Sequence, residues 1–92
     1  MSKIHKNSNN QLLLGILHFR KGDFYNAISN LIEVYEMDNN NKECILYLGK
    51  AKLALKDYKN ALSDFKEFQE LDPSDDVVDK LIKTCEKNLS SN

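Results

Sequence analysis

The stretch DFYNAISN, residues 23–30, has a close counterpart in DYKNALSD, residues 57–64. The two stretches share Asp, Asn, Ala and Ser at the same places, with an aromatic residue second and a branched aliphatic residue sixth. Asp23 begins one stretch and Asp57 the other, so 57 − 23 = 34 is the period of the repetition. Extending the alignment places residues 8–41 over 42–75 without a gap and gives ten identities. A fixed period of this length within a short chain predicts a repeat architecture.

Each repeated unit has the pattern of two helices. Apolar residues in the second half of the first unit recur three, four and seven residues apart, which is typical of one helix face and not of a strand. Gly22 suits the position just past a helix end, and Asp23 suits the position just before a helix start. Residues 39–41 (NNN) and 72–74 (DPS) indicate turns between units. The predicted helices cover about residues 8–21, 24–37, 42–55 and 58–71.

A fifth helix is predicted at about residues 75–89. On the polar face of this helix, acidic residues stand four places before lysines, as with Asp79 and Lys83, which is the favourable order on a helix. A helix that is apolar on one side only can cover the end of a helical stack and present polar side chains to water. The apolar stripe consists of Val78, Leu81, Ile82, Cys85 and Leu89.

The 34-residue period of helix pairs resembles the tetratricopeptide repeat (TPR) family. A Leu-Gly pair, which in that family lets the paired helix approach closely, occurs at residues 14–15 and again at 48–49. The family's Gly-x-aromatic turn is matched at residues 22–24 and, with lysine in place of the glycine, at 56–58. Further family positions are matched by Ala27, Ala61, Leu31, Phe65 and Pro73.

The sequence departs from the TPR pattern at two kinds of position. Gln11 and Ile45 stand where the family usually has an aromatic residue, and Val34 and Phe68 stand where it usually has a small one. The resemblance implies an all-α fold, a right-handed α-solenoid of two helix-turn-helix repeats with a capping helix, in a single TPR domain of residues 1–92. The predicted segments are repeat 1 at 8–41, repeat 2 at 42–75, the capping helix at 76–89 and flexible ends at 1–7 and 90–92.

The composition excludes several classes of function. The 92 residues include 13 basic and 14 acidic ones, a formal net charge of −1. Domains that bind nucleic acid through phosphate contacts are usually strongly basic, so nucleic-acid binding is not predicted. No apolar run approaches the roughly 18 residues of a membrane span, so membrane insertion is not predicted either. Cys44 and Cys85 form no CxxC pair and indicate buried, reduced thiols in an intracellular, cytoplasmic protein.

No motif in the sequence indicates catalysis. The three glycines are isolated from one another and form no phosphate-binding loop. His5 and His18 have no cysteine or carboxylate at a spacing that suits a metal ion, and His18 is interpreted as a packing residue. The sequence therefore predicts a protein that is not an enzyme and has no cofactor or metal.

In the TPR family, the first helix of each repeat lines a concave face that binds peptides. The resemblance implies an apolar groove with a cationic edge, suited to an amphipathic or extended peptide with apolar anchors and at least one acidic group. Alternatively, so short a stack buries some of these residues against its own last helix. The predicted peptide-binding residues are Leu12, Ile16, Phe19, Arg20, Leu46, Tyr47, Lys50, Leu53, Lys80 and Thr84, with Lys87 on the same face.

Leu13 and Leu17 are predicted to point to a third side of the first helix. Leu17 occupies the place at which a preceding repeat would pack. Either the N-terminal ten residues fold over this side, or another molecule covers it. An exposed apolar patch of this kind predicts a weak homodimer or a missing neighbour domain.

The leading prediction is a non-catalytic adaptor that binds a peptide or helix of a partner protein. The alternatives are a structural element for self-association and a membrane-recruited adaptor of the mitochondrial fission type that lacks its anchor. One branch of the TPR family holds the C-terminal carboxylate of chaperones in a clamp of Lys, Asn, Asn, Lys and Arg. The clamp is not matched here, because the corresponding residues are Leu12, Ile16, Tyr47, Val77 and Leu81.

Overall fold

A computed structural model describes residues 8–90 of the protein, which fold into five α-helices. These residues contain no strand, so the all-α prediction is confirmed, and each helix end lies within one residue of its predicted position. The predicted flexibility of residues 1–7 and 90–92 concerns residues outside the described range, except Ser90, which is the last residue of a helix. The helices are α1 (Ser8–Arg20), α2 (Phe24–Met37), α3 (Lys42–Ala54), α4 (Tyr58–Leu71) and α5 (Asp76–Ser90).

The helices pack in sequence order into an elongated stack. Each helix packs on the next one along the chain, and the overall extents are 53 × 26 × 17 Å. Ser8, Lys42 and Asp76 begin α1, α3 and α5, and both intervals equal the period of the repeat, since 42 − 8 = 34 and 76 − 42 = 34. The capping helix α5 therefore has the same register as α1 and α3, the first helices of the two repeats. We call α1, α3 and α5 the A helices, and α2 and α4 the B helices.

Two hydrophobic clusters form a continuous core. The first joins α2 to α3 through Leu31 and Val34 on one side and Leu48 on the other. The second joins α3 and α4 to α5 through Ile45, Ala61, Phe65, Phe68, Val78, Ile82 and Cys85. Tyr35 packs against both clusters, so apolar burial runs from one end of the stack to the other.

The glycine of each Leu-Gly pair allows its A helix to approach the following B helix. A Cβ atom added to Gly15 would lie 2.8 Å from the side chain of Leu31, and one added to Gly49 would lie 2.6 Å from the ring of Phe65. Both neighbours are fully buried and have little room to move. A close helix contact therefore offsets the roughly 1 kcal/mol cost of glycine inside a helix.

The turns between the paired helices share one backbone geometry. Gly22 has a φ of 82°, and Lys56, at the same place in the second repeat, has a φ of 65°. In both turns a backbone N–H bonds five residues back, from Asp23 to His18 and from Asp57 to Lys52, which is the Schellman pattern of a helix end. A left-handed backbone is costly for any residue with a Cβ atom, so the second turn is strained where the first is not.

Three polar contacts tie the two repeats and their helices together. The Tyr35 hydroxyl donates to Glu67 at 2.6 Å, joining α2 to α4. Lys42 pairs with Asp72 at 2.9 Å across the second repeat. The ammonium group of Lys52 lies 2.8 Å from the half-buried Asp64 carboxylate. Burial raises the pKa of Asp64, and the nearby ammonium opposes that rise.

Candidate peptide-binding surface

Nine of the side chains predicted to line the peptide-binding face form three rows across the A helices. Positions five, nine and twelve of a helix are four and three residues apart, so they lie on one side of it. We call this set the A-helix face. Its members are Leu12, Ile16 and Phe19 on α1, Leu46, Lys50 and Leu53 on α3, and Lys80, Thr84 and Lys87 on α5.

The α1 part of the A-helix face is apolar and partly buried. Leu12 is only 7% exposed and belongs to the first core cluster, so its side chain is not available for contact with a partner. Ile16 and Phe19 are half-buried and pack against the same cluster while leaving part of each side chain exposed. Leu12 is therefore buried within the stack, but by residues of α2 and α3 and not by the last helix, against which the alternative placed such residues.

An aromatic contact links the α1 and α3 parts of this surface. The Phe19 ring lies 5.5 Å from the Tyr47 ring in an edge-on arrangement, and 5.6 Å from the Phe24 ring. The Lys50 ammonium lies 5.1 Å from the centre of the Tyr47 ring, within the range of a cation–π interaction. Tyr47 therefore brings the Phe19 ring of α1 and the Lys50 ammonium of α3 together on this surface.

The α5 part of the surface is polar and exposed. Lys80, Thr84 and Lys87 are all solvent-exposed, and the Thr84 hydroxyl donates to the Lys80 carbonyl at 3.0 Å. Within residues 8–90, neither the Lys80 nor the Lys87 ammonium forms an ion pair. Leu46 and Leu53 on α3 are half-buried against the second core cluster. Arg20 is exposed at the end of α1 and flanks the rows.

A second exposed apolar surface lies on α1. Leu13 is 59% exposed and Leu17 is 53% exposed. Leu14, whose exposure the sequence did not indicate, joins them. We call these three leucines the α1 outer face.

The described residues show no arrangement suited to metal or enclosed-ligand binding. No group of His, Cys, Asp or Glu among them could hold a metal ion, and they enclose no pocket. Cys44 and Cys85 are free and buried. The Cys44 thiol donates to the Leu31 carbonyl at 3.0 Å, and burial raises its pKa to about 12. Among residues 8–90, no helix is both long enough and apolar enough to span a bilayer.

His18 has a neighbour that the sequence did not reveal. Its Nδ1 atom lies 3.4 Å from the Asp23 carboxylate across the turn between α1 and α2. The pKa of Asp23 is lowered, chiefly because the Asn26 side chain donates a hydrogen bond to it at 2.7 Å. These contacts link the end of α1 to the start of α2.

The fold and its 34-residue register define a helical-repeat solenoid of the TPR type. The model of the family described as "Anaphase-promoting complex, cyclosome, subunit 3" matches residues 1–68, and the chain belongs to this TPR-like family.

Among curated proteins, the chain is similar to peptidyl-prolyl cis-trans isomerase FKBP4. It is 30% identical to the Bos taurus protein over 78 residues, covering 85% of this chain and 17% of that protein. It is 28% identical to the Mus musculus protein over 88 residues, covering 95% of this chain and 19% of that protein. The chain therefore spans under a fifth of the length of these relatives.

Solved structures share the fold. The "First TPR of Spaghetti (RPAP3) bound to HSP90 peptide SRMEEVD" has a TM-score of 0.89 at 20% identity, covering 92% of this chain and 68% of that one. "MamA D159K mutant 2" has a TM-score of 0.86 at 24% identity, covering 91% and 46%. The "Arabidopsis OM64 TPR domain" has a TM-score of 0.84 at 22% identity, covering 89% and 68%. At these identities the likeness concerns the fold alone.

Proposed function

We propose that the protein is an interaction adaptor that binds a peptide or helix of a partner protein on the A-helix face. One observation carries this proposal. Half-buried apolar side chains on α1 and α3 are joined by the Phe19–Tyr47 contact into a continuous surface. A partner that covered their exposed parts would remove apolar area from water without requiring the core to rearrange.

The partner we propose has apolar anchors and at least one acidic residue. Ile16 and Phe19 offer apolar contact, while Lys50 offers a positive charge beside them. Because the described residues enclose no pocket, binding on an open face would resemble the seating of an amphipathic helix or extended segment. We also propose a reducing, cytoplasmic setting, which the two buried free cysteines support.

We propose that the protein does not bind a chaperone's C-terminal carboxylate through the Lys, Asn, Asn, Lys and Arg clamp. The five clamp positions hold Leu12, Ile16, Tyr47, Val77 and Leu81, none of which carries a positive charge or a side-chain amide. The peptide SRMEEVD, bound in the Spaghetti structure, is a direct probe. Its affinity for this chain should be the same with a free and with an amidated C-terminus. A preference of about tenfold or more for the free carboxylate would contradict this proposal.

We also propose that the chain itself is not catalytic. The TPR family and fold are generally those of interaction modules, although FKBP4 is named as a peptidyl-prolyl cis-trans isomerase. The chain should not accelerate isomerisation of a proline-containing peptide in a coupled protease assay. A rate above that of the buffer blank would refute this point.

Paired substitutions can test the adaptor proposal. Replacing Ile16 and Leu46 by glutamate introduces two negative charges into the A-helix face. Proteins captured by the native chain and identified by mass spectrometry should be lost from this variant. A matched control changes the same residue types on the B helices, Ile32→Glu with Leu71→Glu, where both side chains are exposed. Circular dichroism and thermal melting should first establish that both variants fold.

The outcome is decided by the contrast between the two variants. The proposal is supported if the control retains the captured proteins and the A-helix variant loses them. Retention of the same proteins at unchanged affinity by a folded Ile16→Glu, Leu46→Glu chain would rule the A-helix face out. Purified candidates should then be measured by isothermal titration calorimetry, so that affinity and not recovery decides.

Self-association is a second candidate function, favoured by the α1 outer face. Leu13 and Leu17 are more than half exposed, a large apolar area for one short helix. A weak homodimer would give a concentration-dependent mass in sedimentation equilibrium, and Leu13→Ser with Leu17→Ser would abolish it. A native chain that stays monomeric at millimolar concentration would exclude this function.

A further inference from the structure

The A-helix face changes in chemical character along the stack, and we infer that it binds a peptide in one orientation. The apolar segment of the peptide lies against α1, and an acidic segment lies against α5. This inference rests on the proposed function, because it assigns an orientation to a ligand of that surface. It goes further by naming the order of residues that the partner must have.

The three A helices can be compared position by position because they share one register. Position five is a buried leucine on α1, a half-buried leucine on α3 and an exposed lysine on α5. Position twelve changes in the same direction, from Phe19 through Leu53 to Lys87. At position nine the cation appears already on α3, as Lys50, and Thr84 follows on α5. Apolar contact therefore dominates at one end and positive charge at the other.

The lysines at the α5 end are available to a ligand. Lys83, three residues after Lys80 and four before Lys87, pairs with Asp79 at 3.3 Å. No carboxylate of the described residues forms an ion pair with Lys80 or Lys87. An acidic side chain of a partner would therefore meet two cations with which no acid of residues 8–90 forms an ion pair.

Lys83 distinguishes α5 from the other two A helices. It occupies the register of Gly15 and Gly49, since 83 − 49 = 34 and 49 − 15 = 34. At both glycines even a Cβ atom would come within 3 Å of the following B helix. A lysine at this position prevents a further B helix from packing on α5 in the same way. Lys80 and Lys87 are themselves exposed, so the cationic end of the A-helix face is open to water and ligand in residues 8–90.

The spacing of the helices sets the length of the peptide. Successive A helices lie no closer than directly packed helices, which are about 8–10 Å apart, so two steps from α1 to α5 span roughly 16–20 Å or more. An extended chain covers about 3.3 Å per residue, so at least about five residues separate the apolar anchor from the acidic group. Arg20 lies outside the three rows, and its register equivalents Ala54 and Asn88 are uncharged. The occupant is thus a peptide with apolar residues in one block and acidic residues in another.

Selection from a random twelve-residue peptide library displayed on phage tests this order without knowledge of the natural partner. Peptides selected on the native chain should segregate acidic from apolar residues at the spacing given above. Lys80→Glu with Lys87→Glu should weaken binding of these peptides by about tenfold or more and should select basic residues at the acidic block instead. Both lysines are exposed, so folding should be unaffected, which circular dichroism would verify.

Two further variants test the position of the charge. Lys59→Glu with Lys66→Glu makes the same charge change at exposed sites on the B helix α4 and should leave the selected sequences unchanged. Arg20→Glu tests the opposite orientation, in which the acidic block would lie at the α1 end. If binding depends on Arg20 and not on the α5 lysines, or if acidic and apolar residues are interspersed, the inferred orientation is wrong while the adaptor function stands. If no peptide is enriched over an unrelated protein, the proposed peptide-binding function itself fails.

Discussion

The two repeats contain the same residues at key positions but place them in different surroundings. Leu14 and Leu48 are identical and occupy the same register in successive repeats, yet Leu14 is 44% exposed and Leu48 is 5% exposed. Three residues later in each helix, Leu17 is exposed, whereas its counterpart Ala51 is fully buried. Leu48 packs in a cluster with residues of α2, whereas the α1 outer face is exposed and no described helix covers it. An identical residue at an identical register thus has a different role, because its neighbours differ.

The B helices show the opposite behaviour. Ala27 and Ala61 are both fully buried, and so are Leu31 and Phe65. Each of these residues contacts the A helix of its own repeat or the next, so both copies have a complete set of neighbours. The comparison shows that the residues shared by the two repeats determine how the two helices of one pair pack together. The stacking of one pair on another depends on which pairs are present.

Truncation of the paired leucines should give the largest difference. Leu48→Ala removes a buried side chain from the first core cluster and should lower the free energy of unfolding by about 2–4 kcal/mol. Leu14→Ala removes a side chain that is already almost half exposed and should cost under about 1 kcal/mol. Urea denaturation followed by circular dichroism measures both. Equal losses would mean that the α1 outer face is as well covered as the face of α3.

Alanine in place of the paired glycines should give the next largest effect. A methyl group at Gly49 would lie 2.6 Å from the rigid Phe65 ring, and the overpacking should cost about 1–2 kcal/mol net of the better helix propensity of alanine. At Gly15 the neighbour is the more adaptable Leu31 side chain, so the loss should be smaller. Thermal unfolding of the two variants gives this ranking, and the reverse order would contradict it.

Alkaline pH should weaken the contact between the repeats through Cys44. Burial raises the pKa of this thiol from an ordinary 9.0 to about 12. The folded state therefore retains the proton more tightly than the unfolded state, and the stabilisation is complete below about pH 9 and is lost as the pH rises towards 12. At about pH 10 the loss should be roughly 1 kcal/mol.

Cys44→Ala provides the control for that measurement. Denaturation of the native chain at pH 8 and about pH 10 should show the loss, and the variant should show less of it. The first repeat has Asn10 at the same register, exposed and without a titrating thiol. A pH dependence that is unchanged in Cys44→Ala would assign the effect to other groups such as Tyr35, whose pKa is raised chiefly by its hydrogen bond to Glu67.

The turns should give the smallest difference. Lys56→Gly relieves a left-handed backbone at a site where the first repeat already has glycine, and should stabilise the chain by up to about 1 kcal/mol. Gly22→Ala should destabilise it by a similar amount, although no atom lies within 4 Å of the added Cβ. Differential scanning calorimetry of both variants would test this pair. A destabilised Lys56→Gly chain would show that strain is absent from the second turn.

Much of the fold could be predicted from the sequence because the repeat recurs without a gap. Helical spacing and the turn residues placed all five helices, and the close approach at Gly15 and Gly49 was expected from their shared register. The Schellman turn at Lys56 was harder to anticipate, because lysine rarely adopts a positive φ. The left-handed turn at Lys56 can be recognised in the sequence only when Lys56 is aligned with Gly22 of the first repeat.

The candidate surface was less predictable than the fold. The TPR resemblance indicates which residues line one side of the stack, and so it placed Leu12 among the predicted peptide-binding residues. Packing of α1 on α2 and α3 buries that side chain, and such tertiary contacts cannot be read from spacing. The bonds from Tyr35 to Glu67 and from Cys44 to Leu31 likewise depend on three-dimensional proximity between residues far apart or on different helices.

The central claim is that the repeated residues form the scaffold while the residues that differ between repeats recognise the partner. Exchanging Ile16 and Lys50, as Ile16→Lys with Lys50→Ile, keeps the composition and net charge and moves the cation by one repeat. The exchange Ile32→Lys with Lys66→Ile, which also joins equivalent positions of the two repeats, is the matched control on the exposed side of the B helices.

The decisive measurement is the affinity of these two variants for a peptide selected on the native chain, by fluorescence anisotropy. The account predicts a loss of about tenfold or more for the A-helix exchange and native affinity for the B-helix exchange, with both variants folded. Native affinity after the A-helix exchange would contradict the claim, because the difference between Ile16 and Lys50 would then have no part in recognition.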